Sequence, residues 1–258
     1  MINIEDKKQC CGCSACVQRC PKQCIVMKED EEGFLYPVAD KDVCIDCNLC
    51  EQVCPVLRQR EEREPLDVYA AFNKNEEVRM QSSSGGVFTA LAESIIKEGG
   101  VVFGARFNED WEVVHDYVET VEGLSAFRGS KYVQSEIGTA FCQVRADLKN
   151  GRRVLFTGTP CQVAGLYAFL GCDDANLLTA DVLCHGGPSP AVFERYLESL
   201  GVGEKCRIEF RNKDNGWKKY EVVVGDRVHE TFRANAYMKG FLSNLYLRPS
   251  CASCRFVG

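Results

Sequence analysis

The sequence predicts two units in tandem, a small cysteine-rich α+β module over residues 1–60 and a larger α/β domain over residues 67–258. Three observations carry that division. Ten of the seventeen cysteines fall before residue 55. A mixed-charge run from Arg58 to Glu64, closed by Pro65, suits an exposed linker better than a core. From Asp67 onward, short apolar strand patterns alternate with helical ones, which is the pattern of an α/β domain.

The module is defined by a repeated motif. The first copy is Cys10-x2-Cys13-x2-Cys16-x3-Cys20-Pro21, and the second is Cys44-x2-Cys47-x2-Cys50-x3-Cys54-Pro55. This is the spacing of bacterial two-cluster ferredoxins, in which the fourth cysteine of each run serves the other cluster. Three thiolates at three-residue steps let a tight loop wrap three corners of an iron–sulfur cube, and the fourth corner comes from the other half of the repeat. Cys10, Cys13, Cys16 and Cys54 are therefore assigned to one 4Fe–4S cluster, and Cys44, Cys47, Cys50 and Cys20 to a second. Ile25 to Met27 and Phe34 to Tyr36 flank an acidic turn, as a short hairpin would. Structural zinc also uses C-x2-C pairs, but has no use for a third cysteine at the same step followed by Cys-Pro. Cys11 and Cys24 lie off the register and read as small packing residues.

In the second unit, Val68 to Phe72 reads as a strand and Ser84 to Glu98 as a helix ended by Gly99-Gly100. Strands are expected at Val101 to Phe103, Trp111 to Val118, Arg153 to Phe156, Leu177 to Leu183 and Arg207 to Phe210. Helices are expected at Ile137 to Leu148, Pro160 to Leu170, Pro190 to Leu200 and Ala234 to Leu247, and proline opens two of them. Tyr220 to Val224 and Arg227 to Thr231 form a hairpin across Gly225-Asp226.

Composition narrows the function classes. The chain has 258 residues, 45% hydrophobic and 26% charged, with 37 acidic and 31 basic side chains and a net charge of −6. No nucleic-acid or anionic-membrane surface is expected from that balance. There is no apolar leader and no run of 18 apolar residues, so no membrane span is expected and the location reads as cytoplasmic. In a reducing compartment, clustered cysteines are metal ligands or redox groups rather than a disulfide framework.

Several segments of the second unit are more pointed than a generic domain requires. Ser82-Ser83-Ser84-Gly85-Gly86 opens a helix, where free N–H groups favour an anion, although a plain cap explains the serines as well. Gly129-Ser130-Lys131-Tyr132 puts a cation and a ring together, or is a surface turn. Thr157-Gly158-Thr159-Pro160-Cys161-Gln162 places a cysteine at a strand-to-helix turn, where a thiolate gains from the helix dipole. Cys184-His185-Gly186-Gly187-Pro188 ends the next strand, and Cys251-x2-Cys254 lies near the C-terminus. None of His115, His185 and His229 is placed beside a substrate by the sequence, so no catalytic residue is assigned.

In this order, SSSGGVF at 82–88, RGSKY at 128–132, FTGTPCQ at 156–162, CHGGPSP at 184–190 and CASC at 251–254 resemble the beta subunit family of coenzyme F-420 hydrogenases and dehydrogenases. The likeness is to the longer version with an N-terminal dicluster ferredoxin, and it covers essentially the whole chain. The resemblance implies a flavin, usually FAD, with Ser84, Gly85, Gly86, Lys131 and Tyr132 as its contacts here. It also implies a third 4Fe–4S cluster on Cys161, Cys184, Cys251 and Cys254. Neighbouring parallel strands would bring Cys161 and Cys184 to one sheet edge, where α/β folds place cofactors. Electron exchange with a deazaflavin or another small-molecule two-electron acceptor, and a redox partner protein or subunit, are implied as well. Family members continue past Val257-Gly258, so a shortened second domain is expected. That favours an alternative reading as a non-catalytic electron-transfer subunit.

Overall fold

A computed structural model describes residues 1–59, 64–202 and 206–256. The centre of the expected linker, residues 60–63, and the terminal Val257-Gly258 lie outside them. Among the described residues, no helix is long and apolar enough to cross a membrane.

The N-terminal part is two matching halves around a hairpin. Helix α1 (Ala15–Arg19) follows the first cysteine loop, strands β1 (Ile25–Glu29) and β2 (Leu35–Ala39) pair antiparallel, and helix α2 (Leu49–Gln52) follows the second loop. Asp30 closes the hairpin turn: its Oδ1 accepts from Glu32 and Phe34 N–H at 3.0 and 2.9 Å. The repeat visible in the sequence is also a repeat of backbone shape. Gly12 and Ser14 have φ of 74° and 59°, and the equivalent Asp46 and Asn48 have 50° and 58°. Alternate left-handed residues curl each loop so that its cysteines face one point, a conformation that non-glycine residues adopt only under constraint.

The remaining elements are α3 (Glu76–Gln81), α4 (Val87–Lys97), β3 (Val101–Phe107), β4 (Val113–Val118), α5 (Ala140–Lys149), β5 (Val154–Gly158), α6 (Pro160–Leu170), β6 (Leu177–Asp181), α7 (Pro190–Leu200), β7 (Ile208–Asn212), β8 (Glu221–Val224), β9 (Val228–Thr231) and α8 (Ala236–Leu242). A mixed sheet has the order β4-β3-β5-β6, with β3, β5 and β6 parallel and β4 antiparallel at one edge. The alternation of its strands sorts two cores. Val101, Phe103, Val154 and Phe156 face α5 and α6 with Phe141, Leu166 and Phe169, whereas Val102 and Leu155 face α4 with Ala92 and Ile95. A second sheet, β7-β8-β9, is antiparallel and packs with α7 and α8 around Phe193, Phe210, Tyr237 and Phe241.

The cysteine-rich module shares this core. Cys11, Cys13, Ala15 and Val53 belong to the same buried cluster as Phe141 and Leu166. The approach to α6 is close because residue 165 is glycine: a Cβ there would lie 2.7 Å from Cys13 Cβ and 2.9 Å from its Sγ. At the other end, Gly33 in the hairpin turn leaves no room for a Cβ against Ala191, and Ser189 Oγ donates to the Glu32 carbonyl.

Three expectations about elements need correction. Residues 68–72 form no strand, and Val68, Tyr69 and Phe72 are exposed. The segment instead runs past the start of α4, with Asn73 N–H donating to the Gly85 carbonyl at 2.6 Å. Helix α4 begins at Val87 rather than Ser84, because Gly86, at φ 76°, interrupts the helical turn. The last helix stops at Leu242, since Asn244 adopts φ 59°.

Candidate metal centres

Each cysteine foursome assigned from spacing borders one cavity. Cys10, Cys13, Cys16 and Cys54 line the first together with Cys11, Ile2, Ile4 and Val56; its empty space is about 350 Å³, including open solvent. Cys20, Cys44, Cys47 and Cys50 line the second with Cys24, Ile25 and Leu49, around about 320 Å³. In both, the fourth cysteine crosses from the other half of the repeat. Among the described residues, no three His, Cys, Asp or Glu side chains converge closely enough to hold a metal ion. Four thiols spread around the walls of an apolar cavity fit a polynuclear iron–sulfur group better than one zinc ion.

Backbone N–H groups point at these sulfurs. Ile2 N–H donates to Cys50 Sγ at 3.2 Å. Burial pushes the Cys16 thiol up to about 12 and also raises Cys54, whose sulfur receives the N–H groups of Leu57 and Val56. A thiol that ionises so reluctantly in an apolar cavity needs a cationic partner to become a thiolate, and iron would supply one.

The sheet brings the later cysteines together. β5 and β6 are parallel neighbours ending at Gly158 and Asp181, and Val182 N–H donates to the Gly158 carbonyl at 3.1 Å. Cys161, on the first turn of α6, and Cys184, after β6, leave from that same edge, as expected for a site at the carboxyl ends of parallel strands. A 3₁₀ turn over Pro249–Ser253 delivers Cys251 and Cys254. Cys184 and Cys251 each lie within electrostatic reach of Cys161 and Cys254. Cys184 is pushed up to about 11 by burial, then by Cys161, Cys251 and Cys254; Cys251 is raised by burial and by Cys161 and Cys254. Gly187 N–H donates to Cys251 Sγ at 3.3 Å.

The expected help of the helix dipole to a Cys161 thiolate is outweighed. Hydrogen bonding to Cys11 and burial hold that thiol well above its ordinary value. Cys11 is thus more than a packing residue off the register, since its buried thiol faces both Cys13 and Cys161. Cys24 similarly sits 3.4 Å from Cys20, sulfur to sulfur. Of the cysteines left without a role, Cys142 packs at the module boundary, where its N–H donates to Gln18 Oε1 at 3.0 Å.

A buried polar chain fixes the turn that carries Cys161. His115 Nε2 meets the Thr157 carbonyl at 3.0 Å, its Nδ1 meets Ser135 Oγ at 3.0 Å, and Gln162 Nε2 donates to Ser135 Oγ at 2.8 Å. A carbonyl only accepts, so the proton belongs on Nε2 and Nδ1 accepts from the serine. Thr159 N–H returns to Gln162 Oε1 at 2.9 Å. Burial pushes His115 down to about 4.

The segments assigned to a flavin are also adjacent. Ser130 N–H donates to Ser83 Oγ at 2.5 Å, and Arg128 Nε donates to Thr89 Oγ1 on α4 at 3.2 Å. Ser84, Gly85 and Gly86 form the turn into α4. The Lys131 ammonium lies against the carbonyls of Ala126 and Arg128, and burial pushes it down to about 7. Tyr132 turns into the second core, its ring against Phe210, Phe232 and Phe241. Lys213, which no motif in the sequence marked, donates to the Arg79 and Ser82 carbonyls beside this turn and is pushed down to about 8 by burial, then by Arg211 and Arg79.

Residues 9–57 match the 4Fe-4S dicluster domain. Residues 68–141 match the N-terminal part, and residues 151–257 the C-terminal part, of the coenzyme F420 hydrogenase/dehydrogenase beta subunit. No curated protein matches the chain. A chain of the F420-reducing NiFe hydrogenase complex from Methanosarcina barkeri, solved as a xenon derivative, is similar at 18% identity and a TM-score of 0.48, over 71% of this chain and 63% of that one. This chain therefore spans less than two thirds of that chain's length. With both parts of the beta subunit matched in order behind a dicluster domain, the chain belongs to the coenzyme F420 hydrogenase/dehydrogenase beta subunit family.

Proposed function

We propose that the chain is an iron–sulfur flavoprotein oxidoreductase that passes electrons among three cysteine-held clusters and a flavin serving a small two-electron acceptor. The observation that carries the reading is that eight cysteines border two cavities, each completed by a cysteine from the other half of the repeat. When bound, 4Fe–4S clusters move single electrons and a flavin moves one or two, so together they join one-electron traffic to two-electron chemistry. The residues present do the holding. N–H groups of Ile2 and Gly187 meet sulfur, and the His115 chain fixes the Cys161 turn.

Support for a flavin comes from the donor set at the start of α4. Lys213 donates to the Ser82 carbonyl within electrostatic reach of Arg79 and Arg211, and Arg211 Nε is buried without a hydrogen-bond partner. Grouped cations at a helix N-terminus suit the phosphates of FAD. Lys131→Ala and Gly86→Val, the latter at a positive φ where valine is strained, should each lower FAD retention several-fold and leave the iron content unchanged. Unchanged flavin content in both variants would move the site elsewhere.

A second reading, a non-catalytic electron-transfer subunit of a larger redox complex, is favoured by Tyr132. Its ring is spent on the core rather than offered to a flavin. The visible spectrum of anaerobically purified protein separates the two, because flavin bands accompany only the first.

A further inference from the structure

Arg248 is 2% exposed and among the largest fully buried side chains of the protein. Its Nε donates to the Cys10 carbonyl at 2.7 Å, Nη2 to the Leu35 carbonyl at 2.9 Å, and Nη1 to Gln134 Oε1 at 3.2 Å. Nη2 also lies 3.5 Å from Cys10 Sγ, and the guanidinium stands 4.2 Å from the centre of the Tyr36 ring. None of the salt bridges among the described residues includes Arg248. A guanidinium stays charged in a protein. Burying it without a counter-charge is costly, so a negative charge belongs beside it. Its surroundings are cleared for it: a Cβ on Gly12 would lie 2.8 Å from Nη1.

The same residue reaches the later cysteines through its backbone. Arg248 N–H donates to the Gly187 carbonyl at 2.8 Å, and its own carbonyl accepts from Cys251 N–H at 2.8 Å. Gly187 N–H meets Cys251 Sγ. One buried cation therefore stands between two cysteine foursomes. The second foursome of the module, around Cys20 and Cys44, is bordered instead by Lys22 and by Met1, whose terminal ammonium pairs with Glu51 at 2.9 Å.

We propose that Arg248 is a positioning residue that raises the reduction potential of the cluster held by Cys10, Cys13, Cys16 and Cys54, and makes that cluster the crossing point between the module and the cluster at Cys251. This rests on the cluster assignments above. Net charge and hydrogen bonds to sulfur are among the factors that set iron–sulfur potentials. Each reduction adds one electron, supplied by the redox partner or, in the test, by a chemical reductant; no bond breaks and no proton moves. The added negative charge is stabilised by the fixed guanidinium.

The test is an EPR-monitored redox titration of the whole chain, with iron counted per chain. Wild-type protein must first show its clusters; their absence would sink the assignments themselves rather than the role of Arg248. Gln134→Glu keeps the Arg248 side chain and gives it a carboxylate partner, at the cost of the Gln134 Nε2 bond to the Cys11 carbonyl. That variant and Arg248→Gln should each lower the reduction equilibrium constant of one module cluster about tenfold, which is about 59 mV for one electron. The cluster whose signal disappears in Cys20→Ser should not shift. Arg248→Lys, which keeps the charge but not the fork, should stay within about threefold of wild type. Full iron with unshifted potentials in Gln134→Glu and Arg248→Gln would overturn the proposal. So would an equal shift in Arg248→Lys, or loss of iron from both charge-altering variants, which would mark Arg248 as a purely structural strut.

Discussion

His115 shows how a single buried side chain can be tied to a site it does not touch. Both ring nitrogens are used, one on the Thr157 carbonyl and one on Ser135, and Gln162 completes the link to the turn bearing Cys161. Neutral imidazole satisfies that arrangement, and imidazolium does not. The unfolded chain takes up a proton on this residue as pH falls through about 6.5, whereas the folded one does so only near 4. Stability is therefore fully present above 6.5, is lost as pH drops through that window, and loses no more from this group below it. The loss amounts to roughly 3 kcal/mol. His115→Gln should melt lower than wild type at pH 7.5, by about 1–3 kcal/mol for the unpaired partners, yet lose less between pH 7.5 and pH 5. Parallel losses in melting temperature for the two proteins would refute this role. Nothing in the sequence singled out His115, because its partners are 20 and 42 residues away. The cysteine motifs were legible for the opposite reason: three of the four cysteines proposed for each module site are local in sequence.

At the scale of elements, contact between α1 and α6 depends on Gly165. Replacing it with alanine places a methyl group inside the Cys13 side chain, and overpacking of this kind costs about 1–3 kcal/mol. Gly165→Ala should lower the melting temperature and loosen the cluster at Cys13 without affecting the one around Cys44, read as selective loss of one EPR signal. A variant as stable as wild type with both signals intact would show that the two surfaces are not in close contact. Helices with signals at both ends were fully legible: α6 and α7 each begin at a proline and end before a left-handed glycine, Gly171 at φ 76° and Gly201 at φ 59°. The apolar run at 68–72 looked like a strand because its composition is right. A strand also needs an edge to pair with, and that is a tertiary fact. Helix α3 was missed since Val78 is its only buried residue, which leaves no apolar period to read.

At the scale of the whole molecule, the module and the second domain form one packed body, joined by a shared core and by Arg248. The module foursomes were proposed from spacing, whereas the third was proposed through family resemblance, because Cys161, Cys184 and Cys251 lie on separate elements whose arrangement is set by the sheet. Counting iron, acid-labile sulfide and zinc in the anaerobically purified 258-residue chain, beside Cys254→Ser and Cys142→Ser, tests the three-site assignment most directly. Wild type and Cys142→Ser should hold about twelve irons and as many sulfides, four of each per cluster, and Cys254→Ser about eight. About eight irons in all three proteins, or stoichiometric zinc without sulfide, would contradict it.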